Sequence, residues 1–91
     1  MPASSEVATT EVKLPEATDL HARPAADFVR TAMRFDSELR LAVGEREVDA
    51  KSLLSILALG AKGGTTLRLR AEGVDAAAAL DALAGTLATL R

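Results

Sequence analysis

The segment Asp19-Leu20-His21-Ala22-Arg23-Pro24-Ala25 sets the chain's only histidine two residues before an arginine and three before a proline. An unperturbed imidazole titrates near pH 6.5, so at neutral pH it is largely uncharged and nucleophilic. Arg23 carries a permanent charge on a planar group that can meet phosphate oxygens two at a time. Pro24 suits the first turn of a helix, because the N–H it lacks would have no intrahelical acceptor there. A helix starting here puts His21 at its mouth, beside backbone N–H donors and the positive end of the helix dipole, where an anion is stabilised. That is a nucleophile with a phosphoryl receptor beside it. The same spacing also fits a surface histidine at a helix start with Arg23 merely solvated, and for a short motif both readings stay open.

The elements that must position this segment can be read from periodicity. Val7 to Leu14 is β-branched or alternating, with Val12 and Leu14 on one face, and Pro15 ends it, so a strand is expected, followed by a loop over Glu16 to Leu20. From Pro24, the residues Ala25, Phe28, Val29 and Ala32 recur at the spacing of one buried helical face, which Phe35 extends. Leu39, Leu41 and Val43 alternate with Glu38, Arg40 and Ala42, and Gly44-Glu45 supplies a turn into a short return strand over Glu47 to Ala50. Ser52 can cap a helix over Leu53 to Leu59 that Gly60 stops. Leu67, Leu69 and Ala71 alternate with Arg68 and Arg70 in a fourth strand. Asp75 can cap a last helix lined by Leu80, Leu83, Leu87 and Leu90. The order β-α-β-β-α-β-α implies an α+β open-faced sandwich: a four-stranded antiparallel sheet, covered on one face by three helices and open to water on the other. Residues 1–6 are small and polar and are expected to be disordered, with one domain over 7–91.

Composition narrows the function classes. The 91 residues suffice for one domain, and the 48 % apolar content with only Phe28 and Phe35 aromatic calls for an aliphatic core. Cysteine is absent, which removes disulfides and thiolate metal sites; no metal or other cofactor is expected. The net charge of −2 makes nucleic acid a poor partner. The longest apolar run, near Leu53 to Ala61, is too short to span a bilayer, and no secretory signal opens the chain, so a cytoplasmic monomer without membrane insertion is expected. With one histidine and no carboxylate pair at a convincing spacing, a catalyst in its own right is not expected.

Two further surfaces invite attention. The helix over Leu53 to Leu59 is apolar nearly all round. A short helix on a small sheet buries one side only, so Ile56 and Leu59 should face the core and Leu53, Leu54 and Leu57 should form a partly exposed patch. Arg23, Asp27, Arg30 and Arg34 follow helical spacing, ordinarily a solvated face with weak pairing.

Leu20-His21-Ala22-Arg23-Pro24-Ala25 resembles the active-site motif of HPr, the histidine-containing phosphocarrier family of the bacterial phosphotransferase system. Ala50-Lys51-Ser52-Leu53-Leu54, then Leu59-Gly60 and Lys62-Gly63, is similar to the family's second signature, and the likeness covers residues 7–90. The resemblance implies a relay. Enzyme I, charged by phosphoenolpyruvate, phosphorylates the histidine at Nδ1, and the group moves on to sugar-specific IIA proteins. Carried over, His21 is the acceptor, Arg23 stabilises the phosphoryl group, Pro24 shapes the helix start, and N–H groups near Ala22 and Arg23 take the oxygens. The resemblance makes Ser52 a candidate for regulatory phosphorylation by an HPr kinase/phosphorylase. It makes Arg30, Leu53, Leu54 and Leu57 docking residues for enzyme I and the IIA proteins. The chain departs from the family at Asp19, where HPr proteins usually have glycine. Aspartate tolerates left-handed backbone better than most residues, but its charge lies two positions from the acceptor. The alternatives are a regulatory or nitrogen-branch paralogue and a non-catalytic α+β binding module, which would tolerate loss of His21.

Overall fold

The structure is a computed structural model that describes residues 6–90. Its elements run β1 (Glu6–Lys13), α1 (Ala22–Ala32), β2 (Glu38–Val43), β3 (Arg46–Asp49), α2 (Leu53–Leu59), β4 (Thr66–Gly73) and α3 (Ala76–Ala88). Every expected element is present; α2 has the expected bounds, and the ends of the other elements shift by up to three residues. Of the six N-terminal residues expected to be disordered, 1–5 lie outside the described residues, while Glu6 pairs with Gly73 at the start of β1. A strand's backbone pairing does not require apolar side chains, which is why a polar residue joins it.

One antiparallel sheet has the order β1-β4-β2-β3. Its register brings Val12 opposite Leu67 and Leu41 opposite Leu69, with Leu39 opposite Ala71, so the inward residues of the three longer strands form continuous rows. The helices cover these rows. Phe28, Ile56, Leu83 and Leu87 are fully buried among Leu39, Leu41, Leu67 and Leu69. Each such large side chain contributes about 1.5–3 kcal/mol by leaving water. The outward face carries Arg40, Arg68 and Arg70 among Glu38, Glu11, Glu47 and Glu72, as expected of a side in water. Ala42 is the exception, 3 % exposed on that outward face. It stands opposite both Glu47 and Arg68, whose stems can lie over so small a residue.

The helix ends follow their sequence signals in two of three cases. Ser52 caps α2, accepting a hydrogen bond from the Ser55 amide at 3.3 Å, and Gly60 closes it in the left-handed region at φ 66°. Asp75 stands at the N-cap position of α3 but makes no capping bond. Its carboxylate instead accepts from the Asp36 amide at 2.9 Å, the Ser37 amide at 3.0 Å and the Ser37 hydroxyl. The Ser37 hydroxyl and then the Asp36 amide hold that carboxyl below the usual carboxylate range. Asp75 therefore ties the α1–β2 connection to the entry of α3, a long-range use of a residue that sequence spacing alone suggests is local.

Candidate functional site

α1 begins at Ala22, two residues before Pro24, which makes His21 its N-cap in an extended conformation (φ −101°, ψ −160°). The first intrahelical bond runs from the Ala25 amide to the His21 carbonyl at 2.8 Å. Helix geometry leaves the N–H groups of Ala22 and Arg23 without intrahelical acceptors, and Pro24 has none to offer. The His21 side chain makes no capping hydrogen bond, and the first turn holds no acidic residue. The outcome is an exposed imidazole at a helix start with two amides, the dipole end and the exposed Arg23 guanidinium close in sequence, and no carboxylate in that turn to compete with an anion for these donors.

Buried neighbours fix this exposed tripeptide. Leu20 on one side is 2 % exposed, and Pro24 and Ala25 on the other are buried. The preceding loop is held residue by residue. The His21 amide donates to the Asp19 carbonyl at 2.9 Å, a three-residue turn, and the Leu20 amide donates to the Ala61 carbonyl at 2.9 Å. The Asp19 carboxylate accepts from the Gly63 amide at 2.7 Å and has Lys62 Nζ at 3.9 Å. Lower in the loop, Leu14 exchanges backbone bonds with Thr65 and Gly64 at 2.9 and 3.0 Å. Gly63 is required by contact: a Cβ there would stand 2.3 Å from the Glu16 carbonyl oxygen.

The segment carrying these contacts matches the family model described as the PTS HPr component phosphorylation site, over residues 8–89. The chain belongs to the HPr family. It is 47 % identical over 72 residues to the phosphocarrier protein HPr of Haloferax volcanii, covering 77 % of this chain and 81 % of that one. It is 40 % identical to part of the multiphosphoryl transfer protein of Vibrio cholerae, covering 90 % of this chain and 21 % of that much longer protein. The fold superposes on the crystal structure of a phosphocarrier protein HPr from Bacillus anthracis with a TM-score of 0.85 at 34 % identity, covering 89 % of this chain and 96 % of that one. As an HPr of the phosphotransferase system, the chain is a phosphocarrier and not an enzyme.

The remaining predicted site residues fall into two groups. Leu53 and Leu54 are 38 % and 80 % exposed, with Leu57 half-buried against the core and Ile56 and Leu59 buried, as the one-sided burial of a short helix requires. Ser52 sits at the start of that helix, its hydroxyl shared between the Ser55 amide and hydroxyl. Arg30 is exposed on α1 and ion-paired with Asp27 one turn back. A shallow groove runs from Arg23 past Arg30 and Arg34 to Thr86 of α3 and Thr89 at its C-cap. Among the described residues no helix is long and apolar enough to cross a membrane. Sequence reasoning missed the 61–64 turn as a support of the acceptor loop. Its two consecutive glycines, Gly63-Gly64, were the only local signal, since the bonds it makes reach 41 to 50 residues back along the chain.

Proposed function

We propose that His21 accepts a phosphoryl group from enzyme I of the phosphotransferase system and passes it to IIA proteins for sugar uptake. The observation that carries this reading is the open start of α1: an exposed imidazole at the N-cap beside two amides that no side chain caps. In the forward step the Nδ1 lone pair of His21 attacks phosphorus, a P–N bond forms, and the bond that joins phosphorus to enzyme I breaks. The amides of Ala22 and Arg23 and the Arg23 guanidinium take the phosphoryl oxygens. Each dipole-type contact at so exposed a site is worth about 0.3–1 kcal/mol, which suits a group that must be handed on. Arg30, Leu53, Leu54 and Leu57 dock the partners as the chain acts, a monomer in the cytoplasm. The relation to a multiphosphoryl transfer protein supports a place in a phosphoryl relay.

Intact mass after incubation with phosphoenolpyruvate and purified enzyme I tests the reading. Wild type should gain one acid-labile phosphoryl group and His21→Ala none. No gain on wild type with the cognate enzyme I would remove the general-carrier reading and favour a regulatory or nitrogen-branch paralogue or a binding module.

Ser52 supports a second modification. A phosphate on its hydroxyl would lie at the positive end of α2 and beside exposed Leu53 and Leu54, so a kinase acting there would add charge to the docking patch. Incubation with an HPr kinase/phosphorylase and ATP should give an acid-stable phosphoryl group, absent from Ser52→Ala.

A further inference from the structure

The acceptor loop and the 61–64 turn are joined by backbone bonds at Leu14 and Leu20, and by one side chain, Asp19. Its oxygens are divided between the Gly63 amide at 2.7 Å and Lys62 Nζ at 3.9 Å. The ammonium contact is long, and both its members are well exposed, so it contributes little. The amide bond is short and charge-assisted. It acts at the residue whose carbonyl receives the His21 amide. Three successive residues are thereby located: Asp19 by its side chain, Leu20 by its amide, His21 through the Asp19 carbonyl. The far anchor is itself rigid, because Gly63 packs directly on the backbone of Pro15 and Glu16. Both carboxylate contacts lie on the 62–63 turn.

We propose that Asp19 is a positioning residue for phosphoryl transfer, fixing His21 at the mouth of α1 by clamping the acceptor loop to the Gly63 amide. The proposal rests on the reading of His21 as acceptor. A loop released from this clamp keeps its docking surfaces, since Arg30, Leu53 and Leu54 lie on α1 and α2, but it no longer holds the His21 imidazole in place, where alignment counts. A displacement of even about 1 Å at a reacting group can lower a rate by up to about a hundredfold.

The test is steady-state transfer from phosphorylated enzyme I to wild type, Asp19→Ala and Asp19→Asn, with the Gly63 amide followed by NMR. Asparagine keeps an oxygen that can accept from the Gly63 amide and lacks the charge. Asp19→Ala should lower kcat about tenfold with KM within about twofold, and the Gly63 amide resonance should move. Asp19→Asn should restore kcat to within about threefold of wild type. Equal kcat for wild type and Asp19→Ala would overturn the positioning role, as would an Asp19→Asn as slow as Asp19→Ala. A loss confined to KM would overturn it too, by placing Asp19 in docking. Failure of wild type to carry the group on His21 would remove the acceptor reading and this proposal with it, and the mass of the His21→Ala protein separates that outcome from the others.

Discussion

α1 and α2 begin differently, and the difference lies in which residue follows two places after the first helical position. In α2 that residue is Ser55, whose amide donates to the Ser52 hydroxyl, so the helix start is closed by its own cap. In α1 it is Pro24, which has no amide to donate, and the N-cap is His21, whose side chain makes no capping bond. A cap of the Ser52 kind typically stabilises by about 1 kcal/mol. α1 forgoes that stabilisation and is held from outside instead, by the buried Leu20 and Pro24 and by the 61–64 turn. A helix start that is to receive an anion cannot have its donors filled in advance. Support therefore has to come from tertiary contacts, while the structural start beside it is supported locally.

The largest expected effect comes from breaking that external support. Gly63→Ala drives a methyl into the Glu16 carbonyl, and the backbone on both sides must give. Overpacking of this kind costs about 1–3 kcal/mol. Urea unfolding should show that loss, and phosphoryl acceptance by the fraction still folded should fall with it. Gly60→Ala is the matched control at the end of α2. There the added Cβ meets nothing closer than 4.0 Å, and only the positive φ penalises it, by about 1–2 kcal/mol. Stability should drop while the folded protein accepts phosphoryl groups as before. Equal losses of acceptance in the two variants would mean that the 61–64 turn does not support the acceptor loop.

Exchanging the caps sharpens the comparison at smaller amplitude. Ser52→Ala should lower stability by about 1 kcal/mol. His21→Ser should do the opposite. The backbone at position 21 is already extended, as an N-cap requires, and a hydroxyl there can accept from the Arg23 amide. Because Pro24 withholds the other usual donor, the gain should be only about 0.5 kcal/mol. Phosphoryl acceptance should vanish in the same variant. A more stable protein that has lost its function would identify the open cap as a functional feature of the fold. A destabilised His21→Ser would show that the imidazole supports α1 by contacts other than capping.

Much of this was legible in the sequence. Period-two and period-3.6 patterns place all seven elements, and Ser52 and Gly60 mark both ends of α2 because caps act within four residues of chain. The histidine's position at a helix mouth follows from Pro24 in the same local way. What pattern reading could not supply is anything that depends on where distant segments meet. Asp19 appears in the sequence as a charge near the acceptor, and only the fold brings the Gly63 amide, 44 residues away, to its carboxylate. Ala42 reads as a solvent-facing strand position, and cross-strand neighbours bury it. Asp75 illustrates the limit best, since its spacing before α3 suits a cap and its carboxylate serves a loop 38 residues earlier.

That third helix start yields the smallest of these predictions, visible mainly as a dependence on pH. The Asp75 carboxyl is held below its ordinary value, first by the Ser37 hydroxyl and next by the Asp36 amide. An unfolded aspartate titrates near about 3.9. Between that value and the lower folded one, the unfolded chain binds the proton more readily, so protonation favours unfolding. The contribution of Asp75 is therefore complete above about pH 4–5 and is lost as pH falls through the folded value. In Asp75→Asn the charge is absent at every pH, so its stability should be lower than wild type near neutrality and the gap should close on acidification. Urea midpoints measured for both proteins from about pH 7 down to about pH 3 isolate the effect, because the other carboxylates contribute equally to each. Parallel curves would show that the loop is held by its backbone and not by this carboxylate. α3 would then differ from α1 and α2 in having neither a local cap nor a side chain that replaces one.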